Sequence, residues 1–168
     1  MSCVVFLRGV NVGGNKSFRP SALAAALARH DVVSVGAAGT LVVGGKVGAA
    51  VLRAAIARLL PFDAKALICP AREILALLDD PPATPEGATL YLSVLEKRPR
   101  PPPALPIEEP PGRDWQVKLF ALRGRYALSL HRGAGKALIY PNEVVEKRTG
   151  LAATTRNWST LERIGALL

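Results

Sequence analysis

The chain has 168 residues, of which 49% are hydrophobic and 21% charged, with a formal net charge of +9. That apolar fraction builds a core and excludes a disordered chain, and no apolar run approaches the roughly 18 residues of a membrane span. The positive excess points to a phosphate-bearing partner, although it is spread along the chain without a block of like charges.

Cys3 to Leu7 reads as a buried strand. A glycine-rich loop follows, Leu7-Arg8-Gly9-Val10-Asn11-Val12-Gly13-Gly14-Asn15-Lys16. Ser17 is placed to cap the next helix, with Pro20 in its first turn and Leu23, Ala24 and Leu27 as its apolar stripe, to about His30. Val32–Val35 and Leu41–Val43 read as strands around a Gly36/Gly39 turn. Val47, Val51, Leu52, Ala55, Ile56, Leu59 and Leu60 recur at helical spacing, and Pro61 stops them. Ala64–Cys69 is the fourth strand. The order β-α-β-β-α-β is that of a ferredoxin-like lobe.

Pro70 opens a short helix with Ile74, Leu75, Leu77 and Leu78 inward, and Asp79-Asp80 ends it before a proline-rich loop. Thr89–Leu95 alternates as a strand. Residues 99–112 are half proline and read as an extended spacer. Two strands flank Arg123-Gly124 as a hairpin, and Pro141 opens a helix carrying Val144 and Val145 that Gly150 ends. The last helix starts near Asn157 or Ser159, with a Ser159–Glu162 capping box and Trp158, Leu161, Ile164, Leu167 and Leu168 as its apolar face. The expected architecture is α+β: a ferredoxin-like lobe over 1–80 and a smaller α+β lobe over 88–168, packed as one compact unit.

Cys3 and Cys69 sit in apolar strands and are expected to be buried free thiols. The N-terminus lacks a basic stretch, apolar stretch and cleavage site in series, so a cytoplasmic protein is expected. No ligand spacing suggests a metal, and no dinucleotide or Walker pattern suggests a cofactor.

Three segments carry polar chemistry. In the first loop, Gly9, Gly13 and Gly14 permit positive φ and close approach to an anion, with Arg8, Asn11 and Lys16 alongside. Thr154-Thr155-Arg156-Asn157 precedes a helix, whose first amides and the guanidinium point at one spot. His131-Arg132-Gly133-Ala134-Gly135-Lys136 is a second basic glycine loop. The same residues also serve plain structural roles: tight turns, helix caps and a solvated histidine.

Leu7-Arg8-Gly9-Val10-Asn11-Val12-Gly13-Gly14 resembles the N-terminal signature of the family called domain of unknown function 1697, and Ala153-Thr154-Thr155-Arg156-Asn157-Trp158 resembles its C-terminal one. Lys136, Glu146, Lys147 and Gly150 resemble further positions, whereas Ala38-Gly39-Thr40 replaces the family's Ser-Gly-Asn. The resemblance implies a compact α+β fold and no established activity.

The expectation that follows is an anion- or phosphate-binding module, taking a nucleotide or a nucleic-acid backbone, with Arg8, Gly9, Asn11, Gly13, Gly14, Lys16, Lys136, Thr154, Thr155, Arg156 and Asn157 as binding residues. The alternatives are an enzyme acting on a small phosphorylated or carboxylated metabolite, with Lys136, His131 or Glu146 as acid or base, and a non-catalytic assembly protein. No membrane partner is expected.

Overall fold

The structure is a computed structural model and describes residues 2–11, 14, 17–133 and 138–168. The chain divides into two compact units, Met1–Pro81 together with Ser159–Leu168, and Pro82–Trp158. The C-terminal residues thus group with the N-terminal unit.

The first unit runs β1 (Cys3–Leu7), α1 (Pro20–Ala26), β2 (Val32–Val35), β3 (Thr40–Val43), α2 (Ala49–Leu59), β4 (Ala66–Pro70) and α3 (Ala71–Leu78), the β-α-β-β-α-β order read from the sequence. Its sheet has the order β2-β3-β1-β4 with every pair antiparallel. β1 is central, and all five of its residues are buried, which is why it is an unbroken apolar run. Cys3, Val5 and Leu7 join Leu23, Leu27, Leu52, Ala55 and Ile56 in one core cluster beneath α1 and α2. Val4 and Phe6 are buried on the opposite face. α3 packs on β1 and β4. The last helix, α5 (Trp158–Gly165), approaches α3 so closely that a Cβ on Gly165 would stand 2.6 Å from Leu78 Cδ1.

Cys3 and Cys69 are free and buried, as expected. They lie on neighbouring strands one register step apart, Cys3 opposite Pro70 and Val4 opposite Cys69. Burial, with Cys69 adding, pushes the Cys3 thiol above its ordinary range.

The helix starts differ from expectation. Ser17 is not the cap of α1: its hydroxyl donates to Gly14 C=O at 3.2 Å, and Arg19 holds the cap position without a side-chain bond. α1 ends at Ala26, and a 3-10 turn over Ala28–His30 completes the connection to β2. Val51, Leu59, Leu75 and Leu167 are exposed rather than inward, because each helix buries a stripe narrower than its apolar composition. Among the described residues, no helix is long and apolar enough to cross a membrane.

The second unit runs β5 (Thr89–Leu95), β6 (Ile107–Glu109), β7 (Val117–Arg123), β8 (Tyr126–His131), α4 (Pro141–Thr149) and β9 (Ala153–Asn157), with sheet order β6-β7-β8-β5-β9. The β7–β8 hairpin turns at Gly124, φ +65°. α4 covers one sheet face through Val145, which packs with Leu95, Leu119, Ala127 and Ala153. Gly150, φ 67°, ends α4, its N–H donating to Glu146 C=O at 2.8 Å.

Two corrections fall here. The proline-rich spacer contains an edge strand, β6, paired with β7. The prolines at its bounds cannot donate, and an edge strand tolerates that. Glu109 ties it to α4 through Arg148 and, at 3.9 Å, Lys147. The Thr154–Asn157 segment is not a helix-start loop but most of β9, paired along β5. α5 begins at Trp158, so Ser159 lies inside its first turn instead of capping it.

Gly39 is the turn residue most tightly fixed by its surroundings. Its φ is +72°, and a Cβ there would stand 2.5 Å from Val10 Cγ2 and 2.9 Å from Leu7 Cβ. Gly39→Ala is expected to lower unfolding stability by about 2–4 kcal/mol, summing left-handed strain and overpacking. Gly124→Ala, at φ +65° with nothing within 4 Å, should lose only about 1–2 kcal/mol. Equal losses in urea titrations would contradict this.

Candidate functional site

The glycine loop belongs to the first unit and is closed by its own hydrogen bonds. Leu7 N–H donates to Gly39 C=O at 2.8 Å and Arg8 N–H to Lys65 C=O at 2.9 Å. Asn11, at φ 54°, donates through Nδ2 to Phe18 C=O (3.1 Å) and Ala37 C=O (2.7 Å), and its Oδ1 accepts Phe18 N–H at 2.9 Å. Both amide hydrogens are therefore used within the protein. Asn11 orders the loop, and its side chain has no donor left for an anion. Gly9 (φ +67°) and Gly14 (φ +76°) have open space where a Cβ would stand. Their positive φ favours glycine whatever the space around them. Arg8 is half-buried. Gly13, Lys16 and Lys136 lie outside the described residues.

The Thr154–Asn157 cluster belongs to the second unit. Strand alternation sends Thr154 and Arg156 to one face and Thr155 and Asn157 to the other, so these residues do not converge on one spot. Arg156 is 7% exposed. Its Nη1 donates to Thr154 Oγ1 at 2.9 Å and to Thr155 C=O at 2.8 Å. Burial lowers its pKa from the ordinary arginine range to about 10. The folded state thus holds this proton less tightly than the unfolded chain. The resulting penalty is constant below about pH 10, and stability is regained only as pH rises above it towards the ordinary arginine range. At neutral pH Arg156 remains a cation.

A different constellation lies on the sheet face under α4. The register pairs Tyr91 with Ser129 and Asn157, Ser93 with Ala127 and Thr155, and Thr89 with His131. Tyr91, Ser93, Ser129, His131, Thr155 and Asn157 therefore share that face. Thr155 Oγ1 donates to Asn142 Oδ1 at 2.9 Å. A hydroxyl has one hydrogen, so Ser93 is the donor in its 2.6 Å contact with Thr155. This relay runs towards the first turn of α4 and leaves the Asn142 amide hydrogens uncommitted among the described residues. Ser129 Oγ and His131 Nε2 are buried with no hydrogen-bond partner among the described residues. The His131 ring meets Tyr91 edge-on at 5.9 Å and lies parallel to Tyr140 at 6.4 Å. Glu146, an expected acid or base, accepts Ala153 N–H at 2.7 Å.

Of this seam, sequence reasoning found Thr155, Asn157 and His131 and missed Ser93, Ser129 and Asn142. The available signal was a small hydroxyl residue at an inward position of an apolar strand, in Leu92-Ser93-Val94 and Leu128-Ser129-Leu130.

Residues 1–121 match the family model described as a protein of unknown function, DUF1697, and the chain belongs to that family. No curated protein matches it in sequence. In structure it is similar to the conserved bacterial protein SP0830 from Streptococcus pneumoniae, with TM-score 0.60 and 17% identity over 99% of this chain and 97% of that one. That likeness shows the fold alone.

Asn11→Ala removes three hydrogen bonds from the loop. At about 1 kcal/mol each, the expected loss of unfolding stability is about 3 kcal/mol, read by denaturant titration. A loss below about 1 kcal/mol, the worth of a single such bond, would show that the clasp does not order the loop.

Proposed function

We propose that the protein is a binding module for a small anion, a phosphate or carboxylate group, held in the second unit where the polar seam meets the start of α4. The observation that carries this reading is the pair of buried atoms without a hydrogen-bond partner among the described residues, Ser129 Oγ and His131 Nε2. Leaving a polar group buried without a partner costs about 1–3 kcal/mol, and alanine or valine at 129 would avoid it. Two donors lie at the start of α4, the Asn142 side-chain amide and the Asn142 backbone N–H, with the helix dipole behind them; Pro141 has no N–H, and Glu143 and Val144 N–H donate to Tyr140 C=O. Ser129 and an Nε2-protonated His131 add two more. Glu143, the acid of that turn, is exposed.

Thr155 and Asn157 contribute from the expected set. Of the remaining described residues of that set, Asn11, Thr154 and Arg156 make hydrogen bonds within the protein, and Arg8, Gly9 and Gly14 lie in the first unit, outside this seam. An enzyme acting on the same ligand would use this seam with His131 as its base.

A nucleic-acid backbone is the second reading, favoured by the net charge of +9. It has less support. β1, at the centre of the first sheet, is buried on both faces, and Trp115 is 7% exposed beneath the Arg132 guanidinium, 3.7 Å over its ring. Neither offers an open platform for bases.

The test is thermal denaturation with inorganic phosphate, nucleoside monophosphates and small carboxylates. At least one is expected to raise the wild-type midpoint. Ser129→Ala should leave the ligand-free protein equally stable or up to about 1 kcal/mol more stable, since it deletes an unsatisfied hydroxyl, and should abolish the ligand shift. No shift with any anion, as when a buried water satisfies Ser129, or an undiminished shift in the variant, overturns the reading. Binding to a polynucleotide whose log affinity falls linearly with log salt would favour the second reading instead.

A further inference from the structure

Each sheet edge presents backbone groups that need partners, and three of the four edges are closed. Arg8 N–H donates to Lys65 C=O and Ala71 N–H to Ser2 C=O, so Ala66, Ile68 and Pro70 turn their backbone groups outward from β4. Pro70 has no donor, and Arg53 Nε donates to Ala66 C=O at 3.5 Å. Glu96 N–H donates to Ala152 C=O, so Ala153 and Thr155 face outward from β9. Glu146 takes the first residue's N–H at 2.7 Å and Arg156 the second's C=O at 2.8 Å. β6 is three residues long and bounded by Pro106 and Pro110. These are the usual devices that blunt an edge.

β2, four residues long, has neither the prolines nor, among the described residues, the side-chain hydrogen bonds that blunt the other edges. Gly44 N–H donates to Asp31 C=O at 2.8 Å, which fixes the parity: Asp31, Val33 and Val35 face β3, and Val32 and Ser34 turn both N–H and C=O outward. Among the described residues those groups have no partner. The strand Val32-Val33-Ser34-Val35 carries no charge and no proline, and Val33 is 43% exposed.

We propose that β2 pairs antiparallel with β2 of a second copy of this chain, about a two-fold axis through Val33, joining two four-stranded sheets into one continuous sheet. In that register Val32 lies opposite the partner's Ser34, and Ser34 opposite the partner's Val32. Every outward N–H and C=O of the two strands is then satisfied. Val33 faces the partner's Val33 as a non-hydrogen-bonded pair, the arrangement that brings side chains closest. The edge is thus complementary to itself: its open groups are placed symmetrically about its one exposed valine. A two-fold contact of this kind closes on itself and leaves no edge for further addition.

The test uses the full chain. Sedimentation equilibrium is expected to show a concentration-dependent dimer. Ser34→Pro removes an outward donor without touching the β2–β3 ladder, and Val33→Lys sets like charges across the axis. Both are expected to shift the protein to monomer while retaining its circular dichroism spectrum. Val33→Cys should form an intermolecular disulfide on mild oxidation, because the Cα separation of such a pair, about 4.5 Å, lies within disulfide range. The native thiols are buried and do not compete. A wild-type protein that stays monomeric up to its solubility limit overturns the proposal. So does a dimer that survives both Ser34→Pro and Val33→Lys, or cross-linking at Val33→Cys no faster than at the exposed control Leu138→Cys.

Discussion

Backbone N–H and C=O groups that leave water must be hydrogen-bonded, and in a protein of two antiparallel sheets the difficulty concentrates at edges and tight turns. Much of the polar sequence is spent there. Asn11 supplies the partners that Phe18 lacks in the loop after β1 and Ala37 lacks in the β2–β3 turn. Glu146 and Arg156 do the same for the outer edge of β9. The residues that carry the family resemblance at both ends of the chain thus have a common physical task, finishing backbone that the sheets leave incomplete.

Arg156 shows how far this goes. A guanidinium is the most expensive side chain to take out of water, and its lowered pKa records that penalty. Its planar fork reaches a hydroxyl and a carbonyl together, which lysine does not match. Positive charge in this protein is therefore a poor guide to a binding surface. Of the 22 basic side chains, Arg156 is inside, and others are paired on the surface, as where Arg148 meets Glu109.

The first unit was legible because its strands are short apolar runs bounded by glycine, and its helices carry helical spacing. β9 was not. Ala-Thr-Thr-Arg-Asn reads as capping chemistry before a helix, and only pairing with β5 makes it a strand. Local polarity and tertiary pairing competed, and pairing won. β6 was hidden for the converse reason: prolines signal a spacer, yet the three residues between them suffice for an edge. Within the seam, Ser93 and Ser129 occur on different strands and Asn142 on a helix, so nothing local announces that they meet. Register alone brings them together.

Against this economy of partners, the exceptions carry information. Ser129 and His131 sit on the same face of β8, where neighbouring inward positions are Ala127 and, across the sheet, Leu119 and Val117. An apolar residue fits every one of those neighbours. Two unsatisfied groups together cost about 2–6 kcal/mol, a sizeable share of the 5–15 kcal/mol by which a domain is typically stable. The loop after β1, the end of α4 and the outer edge of β9 are each finished by specific hydrogen bonds, so such a loss calls for a physical reason. Ser129 and His131 lie at the strand end that leads into the basic loop and the first turn of α4, where an anion would supply the missing acceptors and the helix dipole would favour its charge.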